Sequence, residues 1–168
     1  MRRTSFAHDE CPIASSADAV GDVWSLLILR DVFDGYTRFD ELQIELGIAP
    51  NMLTRRLATL IDAGLLQRRQ YQPNPPRDEY VLTDRGHDFH PVILALFAIG
   101  NAGLRKRDKH MLLVDRETGT EVDPVLVDRK TSKPISSLSV MFTPGPAASP
   151  RMRDRLADVA RRALGAQT

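Results

Sequence analysis

The sequence predicts an α+β fold that is mainly α: a winged helix-turn-helix, a long helix suited to dimerisation, a small C-terminal β appendage and a terminal helix. Three observations carry that expectation. Two amphipathic helical patterns, over 38–46 and 50–62, are separated only by Gly47, Ile48 and Ala49. Two strand-like runs, over 65–71 and 78–82, flank a stretch holding Pro73, Pro75 and Pro76. Past them, an apolar pattern with Phe89, Val92, Ile93, Leu96, Phe97 and Ile99 is wider than a domain of this size buries alone.

Taken in order, a first short helix is expected over 11–20, because Pro12 has the fixed φ and missing N–H that suit a first helical position. Gly21 ends it. Residues 24–33 read as a mostly buried helix stopped by Asp34-Gly35. In 38–46, Phe39, Leu42 and Leu46 share one face before Gly47 breaks the helix. Pro50 opens the next helix, whose Leu53, Leu57, Leu60 and Ile61 fall on one side. Thr83-Asp84 starts the long helix, with Thr83 as its cap. Runs over 110–127 and 135–142 are strand-like, with turns at 117–119 and 131–134. A Pro/Gly/Ala/Ser linker over 144–150 leads to an amphipathic helix with Leu156, Val159, Ala160 and Leu164 opposite its arginines. No internal repeat is evident. The organisation expected is a winged-helix and dimerisation domain over 1–109, a β lobe over 110–143, the linker, and the helix over 151–168.

A chain of 168 residues, 42% hydrophobic and 27% charged, is long enough for one ordinary domain with an appendage. No apolar run approaches the roughly 20 residues that span a bilayer. The start, Met1-Arg2-Arg3, runs into His8-Asp9-Glu10 instead of an apolar core, so a cytoplasmic protein is expected. The single cysteine, Cys11, excludes an intramolecular disulfide and a thiolate metal site within one subunit. Neither cofactor nor metal is expected.

The net charge of +1 is uninformative, whereas its distribution is not. Residues 51–77 carry Arg55, Arg56, Arg68, Arg69 and Arg77 against one acid, Asp62. Reading a major groove requires a helix held by its apolar side with donors on the other. The 50–62 helix satisfies this, with Asn51, Thr54 and Arg55 outward and Arg56 at the flank. Arg68, Arg69 and Arg77 flank the wing, where phosphate or minor-groove contacts are expected.

Several motifs resemble the HxlR family of winged helix-turn-helix regulators: Cys11-Pro12-Ile13, the run from Gly21 to Arg30, Arg38-Phe39-Asp40-Glu41-Leu42, the run from Ile48 to Leu57, Glu79-Tyr80-Val81-Leu82-Thr83, and Gly86. The resemblance implies a homodimer that presents two recognition helices to a near-palindromic site on double-stranded DNA. Ala49 departs from it, since the family usually places Ser or Thr there as an N-cap; the loss should cost about 1 kcal/mol. In some relatives a thiol at the position of Cys11 senses oxidants or aldehydes, and a helix N-terminus favours the thiolate. Longer members carry a C-terminal unit with cysteines at the positions of Thr118, Asp128 and Thr131. Here the resemblance implies a zinc-ribbon-like lobe without its metal, packed through Leu112, Val125, Val127, Leu138 and Val140.

Catalysis is not expected, because the sequence has no phosphate-binding glycine loop, nucleophile elbow or repeated carboxylate pattern. His87 and His90, one turn apart, are read as an exposed face rather than metal ligands. Trp24, Phe33, Tyr36 and Phe97 are either core or the lining of a small-molecule effector pocket. A winged helix that binds protein without touching DNA is the alternative reading of the fold.

Overall fold

The computed structural model describes Ser5, Phe6 and residues 8–165, without the side chain of Leu164. The basic start at Met1–Thr4, the expected helix past Gly165 and the apolar role given to Leu164 lie outside these residues.

Helices α1 (Pro12–Val20), α2 (Val23–Asp34), α3 (Phe39–Leu46) and α4 (Pro50–Asp62) precede a hairpin of β1 (Leu66–Pro73) and β2 (Pro76–Leu82). Then come α5 (Asp84–His87), α6 (His90–Asn101) and α7 (Pro150–Gly165). The described residues divide into two compact units: one is Ile13–Pro124 with the residues before Asp9, and the other is Asp9–Pro12 with Val125 onward.

In the first unit, α2 is the centre. Asp22 caps it, its Oδ1 accepting from the backbone N–H groups of Trp24 and Ser25 at 2.9 and 3.3 Å. Gly35, at φ 102°, ends it in the left-handed conformation that an L side chain avoids. Ile28, Leu29 and Val32 of α2 meet Leu42 of α3, Leu53, Leu57 and Leu60 of α4, and Ile48, Leu65, Leu66 and Tyr80 in one core. Each such side chain contributes roughly 1.5–3 kcal/mol by leaving water, so this core fixes how α3, α4 and the hairpin stand.

Asp31 lies in this helix with 1% exposure. Its Oδ1 accepts from Arg30 Nε at 2.7 Å, and its Oδ2 has no hydrogen-bond partner. Burial raises its carboxyl pKa above the usual range, and Arg30 opposes this only in part. The folded state therefore holds the proton more tightly than the unfolded chain, so this group's contribution to stability is present in acid and lost as pH rises through the raised value. Melting curves of Asp31→Asn and the parent should diverge in the variant's favour as pH rises through the raised value. A difference that does not change with pH would contradict the assignment.

Three expectations are corrected. The strands run on to Pro73 and Pro76, which pair with each other, because a two-stranded sheet has no central strand to be interrupted by prolines. The helix after the wing is broken: α5 ends at His87 and α6 begins at His90, with Pro91 in its first turn. The third concerns 110–142, where β character is reduced to the single bridges Val114–Glu121 and Val127–Pro134. The apolar runs there, such as 125–127, are too short between turns and prolines to build a ladder.

Those bridges close a short turn that occurs twice, which corrects the expectation that no internal repeat is present. Asp115 Oδ1 accepts from the backbone N–H of Glu117 and Thr118 and from the Thr118 hydroxyl, at 3.1, 2.7 and 2.8 Å. In the other unit, the Asp128 carboxylate accepts from the backbone N–H of Lys130 and Thr131 and from the Thr131 hydroxyl, at 3.4, 3.0 and 2.6 Å. Both segments read Val-Asp-Arg-x-Thr, and these hydrogen bonds hold both carboxyls below the usual range. Side-chain packing does not shape this region as expected, since Leu112, Val125, Val127 and Val140 are exposed and only Leu138 is half-buried. Among the described residues no group of three or more His, Cys, Asp or Glu could hold a metal ion.

No single described helix is long and apolar enough to cross a membrane; α1 and α2 together pass by length and composition but are bent by 78°.

Candidate nucleic-acid interface

Helix α4 is held from behind by Leu53, Leu57 and Leu60, which leaves Asn51, Thr54, Arg55 and Ala58 exposed on the other side. Its start is set by Pro50 and by the extended backbone of Ala49, which offers no side-chain cap. Gly47, at φ 59°, makes the turn from α3. The Thr54 hydroxyl donates to the Pro50 carbonyl at 2.9 Å, so on this face it has only acceptor capacity to offer. Arg55 Nη2 contacts Met52 Sδ at 3.1 Å and pairs with no carboxylate among the described residues. Its guanidinium keeps most of its donor fork for a ligand.

Arg56 departs from its expected place. Its Nη1 lies 2.8 Å from Asp22 Oδ2, with both side chains about four-fifths buried, and its Nε is buried without a partner. The reason is angular: one residue past Arg55 on a helix is a turn of about 100°, and this carries the guanidinium off the open face and onto the cap of α2. Arg56 therefore ties the presented helix to the core instead of extending into solvent.

On the hairpin, Arg68 lies over the Tyr80 ring at 5.8 Å and Arg77 is exposed with no carboxylate partner among the described residues. Arg69 Nε donates to Glu79 Oε1 at 2.8 Å while remaining 65% exposed. Arg69 and the Thr37 hydroxyl hold the Glu79 carboxyl below its usual range, so Arg69 brings less free positive charge than its neighbours. A register shift between Gln70 and Gln72 sets Tyr71 out of the ladder. The Arg38 guanidinium stacks over that ring at 4.5 Å. Sequence reasoning missed Arg38; its signal was a lone arginine at the start of an acidic helix, visible as part of the basic surface only once Glu79 bridges to it.

The other candidates fall elsewhere. Cys11 is half-buried beside the start of α1, and its backbone N–H donates to Asp9 Oδ1 at 2.8 Å. Trp24 and Phe33 are half-buried and Tyr36 is 40% exposed. Phe97 lines a cavity with Asn101 and Lys109, while Phe33 stacks on His90 at 4.4 Å and meets His87 edge-on at 6.3 Å. The two histidines clasp a phenyl ring, which the one-turn spacing did not foretell.

A family model described as HxlR-like helix-turn-helix matches residues 19–108. The uncharacterized HTH-type transcriptional regulator Rv3095 of Mycobacterium tuberculosis is 34% identical over 80% of this chain and 85% of its own length. Among solved structures, PA1374, a candidate transcription factor from Pseudomonas aeruginosa, is 44% identical, covers 87% of this chain and all of its own, and superposes with a TM-score of 0.62. PA1607, another candidate transcription factor, reaches a TM-score of 0.69 at 34% identity, over 78% of this chain and 92% of its own. The reduced form of the redox regulator HypR is similar over 55% of this chain and 95% of its own, at 30% identity and a TM-score of 0.50.

Proposed function

The chain belongs to the HxlR-like helix-turn-helix family, and from that membership we propose that it acts as a cytoplasmic, homodimeric, sequence-specific regulator of transcription that binds double-stranded DNA. The observation that carries this is the open face of α4, where Asn51 and Arg55 are exposed and, among the described residues, free of any carboxylate, on a helix locked to the core by Arg56. In this reading α4 enters the major groove, with Arg55 and Asn51 at base edges and Thr54 beside them. Arg38, Arg68 and Arg77 meet the backbone or minor groove, and Arg69 contributes weakly. Val92, Leu96 and Ile99 on α6 are large, apolar and exposed, and support pairing with a second copy. Two-fold symmetry then sets half-sites about one helical turn apart.

Cys11 is the proposed gate, since a similar protein is a redox regulator and this thiol is partly accessible. The rival reading, a winged helix that binds only protein, predicts no salt-dependent DNA binding.

The test is to select bound fragments from random DNA and measure affinity by fluorescence anisotropy. Arg55→Ala should lose about 1–3 kcal/mol per half-site and relax one base preference. Arg77→Ala should weaken all sequences alike and flatten the salt slope. Cys11→Ser should make affinity indifferent to a diamide oxidant. Unchanged affinity and preference in Arg55→Ala would sink the assignment of this face.

A further inference from the structure

We infer that the cleft between the C-terminal half of α6 and the segment 109–123 is a binding site for a small organic cation with an aromatic or other apolar body. The cleft encloses about 600 Å³, within the range of roughly 300–1,000 Å³ that holds small ligands. On one side Phe97 and Ala98 of α6 and Ala102 just past its end form an apolar floor where the small residues leave room beside the ring. The opposite wall comes from Lys109 and from residues 121–123.

This wall is built. Asn101 Nδ2 donates to the Met111 carbonyl at 3.2 Å, pinning the segment to the helix that it faces. Val122 N–H donates to the Leu113 carbonyl at 2.8 Å, and Asp115 N–H to the Thr120 carbonyl at 2.9 Å, so the two halves of the segment brace each other. Both walls of the cleft are therefore fixed by the protein's own hydrogen bonds.

Charge selects the class of ligand. Glu121 is occupied by two ammonium groups, Lys109 Nζ at 2.9 Å and Lys106 Nζ at 3.4 Å. Asp123, in contrast, forms no hydrogen bond or ion pair among the described residues. An anion entering here would have to break the Lys109–Glu121 pair while facing a free carboxylate. A cation meets Asp123 directly and disturbs no existing pair, and the Phe97 side chain lines the same cleft. The alanine floor and the ring then accept the apolar body.

The experiment is calorimetric titration of the full chain, without DNA, with benzyltrimethylammonium, and with phenylacetate and benzyl alcohol as anionic and neutral counterparts. Saturable binding of the ammonium compound is expected, at least tenfold tighter than either counterpart. Asp123→Asn, an exposed substitution that leaves the fold intact, should weaken it about tenfold, and Phe97→Leu should weaken it further. No binding at millimolar concentration, equal binding by Asp123→Asn, or preference for phenylacetate would each overturn the inference. Because DNA is absent from the titration, its failure leaves the DNA-binding proposal untouched. Failure of the Arg55→Ala test likewise leaves the titration unaffected.

Discussion

Replacing Gly86 by alanine is expected to destabilise the protein by about 3 kcal/mol or more, the largest effect of any single methyl group added to the winged-helix unit. Gly86 is buried in α5, and a Cβ there would land on the Leu65 carbonyl oxygen, with Leu82 Cδ2 only 3.1 Å away. A backbone carbonyl cannot swing aside as a flexible side chain can. The close approach is set by Thr83, whose hydroxyl donates to the Gly64 carbonyl at 2.6 Å and accepts from Gly86 N–H at 3.0 Å. Its backbone N–H also donates to the Leu65 carbonyl at 3.1 Å. The base of the wing and the start of α5 are thereby fastened to each other, and alanine must pry them apart. Urea denaturation measures the loss. Gly100→Ala on α6 is the control: within the subunit nothing lies within 4 Å of its Cβ, so the subunit's own packing does not oppose it. If Gly86→Ala unfolds within about 0.5 kcal/mol of the parent, the packing described at this junction is wrong.

Asp22→Ala should cost about 3 kcal/mol, because one carboxylate both caps α2 and neutralises Arg56. Its Oδ1 accepts from two backbone N–H groups, and its Oδ2 faces Arg56 at 2.8 Å. Asp22→Asn keeps the cap and loses the charge, so it should fall between alanine and the parent. Arg56→Met should cost less than Asp22→Ala, since the apolar stem is preserved and the carboxylate can still cap. The comparison separates two roles for Arg56. If it anchors α4, Arg56→Met lowers the melting temperature, and its effect on DNA affinity is shared by Asp22→Asn. If it contacts DNA directly, affinity falls while thermal stability and the Asp22→Asn complex are unchanged.

The pattern of apolar residues determined most of this molecule by itself. Helices α1 to α4 and the hairpin stand where periodicity, Pro12, Pro50, Gly35 and Gly47 placed them, because amphipathic spacing and backbone permission act within a few residues. The outward face of α4 was equally legible: once Leu53, Leu57 and Leu60 go inward, Asn51, Thr54 and Arg55 must go out. Charges were less legible than positions. Arg55 and Arg56 are adjacent and chemically identical, yet only the tertiary structure brings Asp22 to one of them and leaves the other open. Arg69 and Arg77 differ in the same way through Glu79. Arg38 joined the basic surface only when the strand edge carried it beside Tyr71. The break between α5 and α6, the histidines against Phe33 and the paired Asp-Thr turns also depend on contacts or hydrogen bonds that no periodicity encodes. Local sequence decides which side of an element is wet; which ion pairs form is decided by residues far apart in the chain that the core holds within a few ångströms.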